Sequence, residues 1–482
     1  MKEKFRYVKK EDRKKILLLC DDIRMHSGIA TMAREIVIGT SQHFNWVNLG
    51  AALNHPEAGK GFDISAEVNK IAGLEDSDVK VLPNNGYGDA MQIRGLIAQE
   101  KPDAIFIFTD PRYWTWLFEI EREIRNSIPI YYLNILDDYP APLYNKPYYE
   151  SCDLLMAISK QTKNINEIVL GEAIKDKLIK YVPHGINEDI FFPITKDHEM
   201  YPGLLEFKKN LFQGKEYEYE YVVFWNSRNI RRKSPGDVIL SYRMFCDMIG
   251  EEEAKKCALV MHTQPVDENG TDLYAVREAV CDDSYVNVFF STERLNSAQM
   301  NLLYNMSDVG MLITSNEGWG LSLTETMMSG KMIIANVTGG MQDQMRFEHD
   351  GKWIDFTPDF PSNHRKTVKD CGDWAVPVFP SNISMVGSVP TPYIFDDRCA
   401  PEDVAKALCD VYDMGKEERD RRGALAREWV TSDESGMSAR QMCENVIEAM
   451  DEAFEKFVPR SRFDLYKITD RPKKYITHKL IY

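Results

Sequence analysis

At 482 residues, 44% of them hydrophobic, the chain is long enough for two or three domains with ample core. A formal charge of −16 opposes tight nonspecific binding to nucleic acid, and the longest apolar runs fall far short of a membrane span. Nine cysteines, odd in number and without a CxxC pair, indicate neither a disulfide framework nor a zinc site, so no metal is expected and a reducing cytoplasm fits best.

The charge is uneven. Met1–Lys15 carries eight Lys/Arg against three acids and Lys456–Tyr482 eight against two, while the body is acidic. Such ends read either as solvated tails or as one basic surface near an anionic acceptor. Met1–Lys15 is too charged for a signal peptide.

In chain order, Lys15–Cys20 (KILLLC) predicts a buried strand, followed by the polar loop DDIRMHSG and a helix from Ile29 to Thr40. His26, Ser27 and Gly28 stand near the helix start, where a ligand can approach the backbone. Strands are expected at Asn45–Leu49, Val79–Leu82, Ala104–Phe108 and Ile130–Leu133, with a helix near Ala90–Glu100. That alternation implies a parallel sheet, with ligands outside the carboxyl ends of its strands. After Phe108 comes TDPRYWTWLFE, whose aromatics suit core packing unless an exposed Tyr113 or Trp114 stacks on a sugar or base. After Leu133 come Asp137 and Asp138, which fit a turn before Pro140 or an acceptor-side base. Cys152–Ser159 predicts a strand leading into a helix, and YVPHGINEDIFFPI (181–194) an exit from the first domain.

A second α/β series is expected at Tyr221–Trp225, Ala258–His262, Val286–Phe290, Val309–Ile313 and Met332–Ala335. The loop after its first strand packs Arg228, Arg231, Arg232 and Lys233 together, which suits a diphosphate if it is more than a solvated loop. Val309–Gly340 reads as strand, Gly-rich loop, helix and strand. A helix mouth there offers N–H groups and a positive dipole end to a phosphate. Glu317 in the loop and Glu325 in the helix would repel phosphate, so they suit sugar hydroxyls, and a nucleotide sugar carries both groups. Met341–Ala400 reads as an elaborated loop region. Helices are expected at Pro401–Met414, Lys416–Thr431 and Ala439–Phe457.

Four motifs, in order, carry a family likeness: VPHGINEDIFFP; FWNSRNIRRK, with Arg228 and Lys233 five apart; VNVFFSTERLNSAQMNLLYNMSDVGMLITS, which holds Arg294; and EGWGLSLTE with its continuation MMSGKMIIANVTGG. Together they resemble retaining, nucleotide-sugar-dependent glycosyltransferases of the E-x7-E type, the glycogen-synthase-like and mannosyltransferase-like family. The resemblance implies the GT-B architecture: an N-terminal Rossmann-like acceptor domain (1–190), a linker (191–218), a C-terminal Rossmann-like donor domain (219–435), and a C-terminal helix and basic tail (436–482), the helix crossing back to the N-domain. It implies a UDP- or GDP-sugar as donor substrate, with no cofactor and no catalytic metal. Arg228 and Lys233 would neutralise the diphosphate, and Glu325 would hold the ribose. Glu317 and the backbone of Gly318, Trp319 and Gly320 would position the donor sugar. Leu321 and Ser322 would offer N–H groups to the phosphate, and Arg294 and Gly28 would line the donor site.

Two departures from the pattern matter. His184 stands where Asn is usual, and the N-domain loop that often carries a sugar-contacting His has Asp137 and Asp138 instead. One of these aspartates, or His26, becomes the acceptor-side candidate. SGIATMAREI and FTDPRYWTWLF are similar to phage-encoded members, which implies duplex DNA with a hydroxymethylated base as acceptor. A saccharide or lipid-linked acceptor, a GT-B epimerase and a non-catalytic sugar-nucleotide-binding module are the alternatives.

Overall fold

The computed structural model describes residues 6–215, 218–281, 284–461 and 463. Its first half holds β1 (Lys14–Asp21), β2 (Phe44–Ala52), β3 (Phe62–Asp63), β4 (Val79–Asn85), β5 (Ala104–Phe108), β6 (Ile130–Asn134), β7 (Leu154–Ala157) and β8 (Leu178–Tyr181). They form one sheet of order β3-β4-β2-β1-β5-β6-β7-β8, parallel except for the β3–β4 pair. Runs such as Ile16–Cys20 and Ala104–Phe108 are buried throughout, because helices cover both faces of the sheet. The chain fills the sheet outward from β1 on one side and then from β5 on the other. This puts a topological switch between them, where the loops after Asp21 and Phe108 open together.

The second half holds β9 (Tyr221–Asn226), β10 (Cys257–His262), β11 (Val288–Ser291), β12 (Val309–Leu312), β13 (Met332–Asn336), the short pair β14 (Glu348–His349) and β15 (Lys352–Trp353), β16 (Ala375–Val378), and the hairpin β17 (Asn382–Ser388) and β18 (Thr391–Arg398). Six of them form a parallel sheet of order β11-β10-β9-β12-β13-β16. Its switch lies between β9 and β12, the strands that lead into the Arg/Lys loop and the Glu317 loop. The expected strands all form in both halves.

The stretch 341–400 departs from expectation. It supplies β16 to the sheet edge and the β17–β18 hairpin, besides irregular chain. β16 is four residues with Pro377 inside, and β17 is exposed along most of its length. Neither has a buried face long enough to impose an alternating pattern.

The last helix, Ala439–Lys456, crosses back onto the first domain. His43 Nε2 lies 3.0 Å from Asp451 and Lys180 2.5 Å from Glu452, while Phe454 packs edge-on against Tyr131. A second tie joins the halves. Asp343 accepts from the Lys160 backbone N–H (2.9 Å) and the Tyr181 hydroxyl (3.0 Å), and Lys160 Nζ lies 3.7 Å from the Trp353 ring centroid.

The expected basic surface falls partly on 1–5 and 464–482, outside the described residues. Of the basic residues described near the start, Arg6 pairs with Asp451, Lys10 with Asp78, Arg13 with Asp76, Lys14 with Asp103 and Lys15 with Glu100. Among the described residues no helix is long and apolar enough to cross a membrane.

Candidate active site

Between the two sheets lies a cleft of about 580 Å³, lined from the first half by Ser27, Gly28, Asp110, Arg112, Asp137, Asp138, Tyr144 and His184 among others. The second half contributes Arg232, Asn316 to Leu321, and Val386, Thr391 and Ile394 of the hairpin.

The 314–320 loop is shaped by close backbone approaches. A Cβ on Gly318 would stand 2.8 Å from the Ile135 carbonyl oxygen across the cleft, and one on Gly340 would stand 2.2 Å from the Gly318 oxygen. Glycine at both positions lets the loop lie flat between the N-domain and the turn after β13. The Gly340 N–H donates to Glu317 O (3.0 Å), and Gln344 Nε2 donates to the carbonyls of Trp319 (3.1 Å) and Gly320 (3.2 Å). The Trp319 side chain is buried, its Nε1 donating to Thr324 Oγ1 (3.0 Å). Leu321 and Ser322 open the helix Leu321–Met328, and as first residues their N–H groups have no intrahelical acceptor. Gly28 starts the helix Gly28–Thr40, capped by Ser27, and a Cβ on it would stand 3.7 Å from Leu321 Cδ1. Two helix N-termini therefore meet at the cleft, and both favour an anion.

The cationic loop meets Glu317. Lys233 Nζ is hydrogen-bonded to the Glu317 carboxylate, and Arg232 donates to the same oxygen (3.1 Å) and to Asn316 O (2.8 Å). Burial and the neighbouring guanidinium push the Lys233 ammonium well below the ordinary lysine range. Arg228 stands apart, 64% exposed at its side chain and paired with Asp267 at 3.0 Å. It does not line the cleft; Arg232, which the spacing did not single out, does.

Glu325 is set back from the cleft. It accepts from the Tyr304 hydroxyl, which in turn accepts from Asn226 Nδ2 (2.8 Å), and burial pushes its carboxyl up to about 7. Arg294 is exposed in the loop after β11, and His26 is exposed beside Ser27; neither lines the cleft.

Asp137 and Asp138 do face the Glu317 loop, at the carboxyl end of β6. Burial raises Asp137 to about 6 against the pull of Arg232 and Lys233. Burial and the Asp137 charge raise Asp138 well above the carboxylate range. The hairpin brings two further carboxylates under the same loop. Asp396 accepts from Ser315 Oγ and Asn316 Nδ2 (both 3.1 Å), and Asp397 accepts from Thr338 Oγ1 (2.7 Å). Burial pushes Asp397 to about 6. His184 is enclosed edge-on by Phe108 (5.7 Å) and Trp319 (6.3 Å), and burial drives it down to about 3, so it is neutral.

The arrangement can hold an anion against Lys233, Arg232 and two helix mouths, with carboxylates on either side to accept from hydroxyls. Among the described residues no group of three or more His, Cys, Asp or Glu is placed to hold a metal ion.

No family model matches the chain, and no curated protein matches it by sequence. Solved structures do match along nearly its whole length. HepE of Anabaena, in complex with UDP and glucose, aligns with a TM-score of 0.60 at 12% identity over 91% of this chain and 100% of that one. A glycosyltransferase from Rickettsia africae aligns at 0.60 and 14% over 92% and 100%. Sucrose-phosphate synthase from Thermosynechococcus elongatus aligns at 0.62 and 12% over 92% and 100%. At such identities the likeness is one of fold: the chain has the GT-B fold, two Rossmann-like domains facing each other across a cleft.

Proposed function

We propose that the protein is a retaining glycosyltransferase that moves a sugar from a UDP- or GDP-sugar to a hydroxyl acceptor. The observation that carries this reading is the meeting of Lys233, Arg232 and Glu317 beside a helix mouth: Arg232 and Glu317 line the cleft opposite Asp137, and the buried Lys233, which does not line it, reaches it through Glu317. The Glu317 carboxylate is bonded to both Lys233 and Arg232. A donor diphosphate displaces it and takes Lys233, Arg232 and the N–H groups of Leu321 and Ser322, with Arg228 closing from the rim. Glu317 is then released to accept from the donor sugar, and Glu325, with Tyr304 and Asn226, receives the ribose hydroxyls.

As the bond from the anomeric carbon to phosphate oxygen breaks, negative charge grows on the phosphate, and prepositioned cations and dipoles stabilise that state more than the ground state. The acceptor oxygen attacks from the same face as the departing phosphate, which takes the acceptor proton; the anomeric configuration is kept. Asp137, poised near neutrality, accepts a hydrogen bond from the acceptor hydroxyl. HepE has been captured with UDP-glucose, which supports a UDP-sugar here.

The acceptor wall carries Asp110 and Asp137, and its Arg112 is already clamped by Asp110. This charge suits a neutral saccharide better than duplex DNA with a hydroxymethylated base, whose phosphates need unpaired cations.

The test is incubation with labelled UDP- and GDP-sugars, alone and with saccharide, lipid-linked and hydroxymethylated duplex DNA acceptors. The expected result is slow nucleoside diphosphate release without acceptor, faster with a saccharide, and about 100-fold slower in Lys233→Ala. No release from any donor contradicts transfer, epimerised free donor marks an epimerase, and a product of opposite anomeric configuration contradicts retention.

A further inference from the structure

Beside the cleft lies a second concavity that donor and acceptor hydroxyl leave unused: an open bowl of about 550 Å³, lined by Asn84 and Asn85 at the end of β4, by Gly86 to Asp89 after it, and by Met91 and Gln92. Tyr87 in its wall is stacked on Tyr113, ring centroids 4.2 Å apart and planes 12° from parallel, with Trp114 edge-on at 5.5 Å. Tyr113 is 49% exposed while Trp114 is fully buried. Tyr113 stands beside the lining residues rather than among them, and an aromatic ring held by stacking and half exposed suits the C–H face of a pyranose.

Amides surround it. Gln92 Nε2 donates to Asn84 Oδ1 (2.8 Å), Asn84 Nδ2 to Gly86 O (2.9 Å), and Asn85 Oδ1 accepts from the Asn54 N–H (2.8 Å). These bonds orient the side chains and leave the Asn85 amide hydrogens and the Gln92 carbonyl for a ligand's hydroxyls. Among the described residues no Lys or Arg lines the bowl. Its one carboxylate, Asp89, is engaged in capping the helix Ala90–Glu100 through the N–H groups of Met91 and Gln92. A phosphate-bearing ligand finds no counter-charge there.

Bowl and cleft share a wall. Asp21 accepts from the Tyr87 hydroxyl (2.9 Å) and from Ser27 Oγ (2.6 Å), and Ser27 lines the cleft. Tyr113 follows directly on Asp110, Pro111 and Arg112, which line the cleft as well.

We propose that this bowl and the Tyr87–Tyr113 pair form a distal acceptor subsite, holding a further sugar ring of a neutral oligosaccharide whose reacting end lies in the cleft. The inference rests on the glycosyltransferase reading, and its test is separable because it reads binding rather than turnover.

The experiment measures, in the presence of UDP, equilibrium binding of gluco-, manno- and chito-oligosaccharides of one to four rings to the full chain and to Tyr113→Ala, Tyr113→Trp and Asn85→Ala. At least one series should tighten about tenfold, or about 1.4 kcal/mol, on adding rings. Tyr113→Ala should abolish that gain and Tyr113→Trp keep it, with UDP and monosaccharide binding unchanged in both; Asn85→Ala should reduce it. No gain with length in any series, a gain that survives Tyr113→Ala, or Tyr113-dependent binding of a single-stranded oligonucleotide in place of saccharides would each overturn the proposal. If donor turnover fails while the length-dependent gain is seen, the transferase reading falls and the saccharide subsite stands.

Discussion

At the scale of single residues, the candidate site is a set of charges that satisfy one another. Glu317 holds Lys233 and Arg232, so under the proposed function the donor's diphosphate competes with that carboxylate. Glu317→Gln should therefore bind UDP about fivefold more tightly, near 1 kcal/mol, while transfer from a UDP-sugar slows; calorimetry with UDP and a turnover assay check both halves, and weaker UDP binding would contradict the competition. The sequence showed the cationic run and both glutamates, because an Arg/Lys cluster in an acidic chain and an E-x7-E spacing are visible as letters. It could not show which guanidinium turns inward. Arg228 fits the spacing but is exposed and paired with Asp267 away from the cleft lining, while Arg232 enters the cleft, where it bonds Asn316 O from the turn Arg231–Lys233. Asp396 and Asp397 were equally invisible, since their place in the site depends on a hairpin contact far along the chain.

At the scale of elements, the strand–loop–helix unit at Val309–Met328 was legible because a buried apolar run, a glycine-rich loop and a helix differ in composition as well as structure. The β17–β18 hairpin was not. Exposed on most of its surface, it is fixed by contacts with other elements: Phe395 N–H to Tyr139 O (2.7 Å), the Tyr393 hydroxyl accepting from the Leu143 N–H (3.2 Å), and Tyr393 against Tyr144 at 5.2 Å. Because the hairpin covers the loop that carries Asp137 and Asp138, Tyr393→Ala should raise the acceptor KM about fivefold, the worth of about one hydrogen bond, and leave the donor KM unchanged. Equal changes in both would show the hairpin to be a general support of the cleft.

At the scale of the whole molecule, two ties set the orientation of the domains: the returning helix Ala439–Lys456, and Asp343 against Lys160 and Tyr181. Burial pushes the Asp343 carboxyl up to about 7, above its unfolded value of about 4. The folded state thus holds a proton the unfolded state releases. The stability linked to it is full below pH about 4 and is lost as pH rises through about 7. Thermal unfolding should show Tm falling between pH about 4 and 7, with a shallower fall in Asp343→Asn; an equal slope in the variant would contradict the assignment. Two parallel sheets were legible from alternating strands and helices, whereas these ties join residues distant in sequence and carry no local pattern. The central claim, that the Lys233–Arg232–Glu317 cluster is a donor clamp, is tested most directly by a crystal structure with a UDP- or GDP-sugar bound. The account predicts diphosphate oxygens within about 3 Å of Lys233 Nζ and of the Leu321 or Ser322 N–H, with Glu317 released from Lys233 and turned to the sugar. A nucleotide seated elsewhere, or a Lys233–Glu317 pair left intact beneath the bound donor, would contradict it.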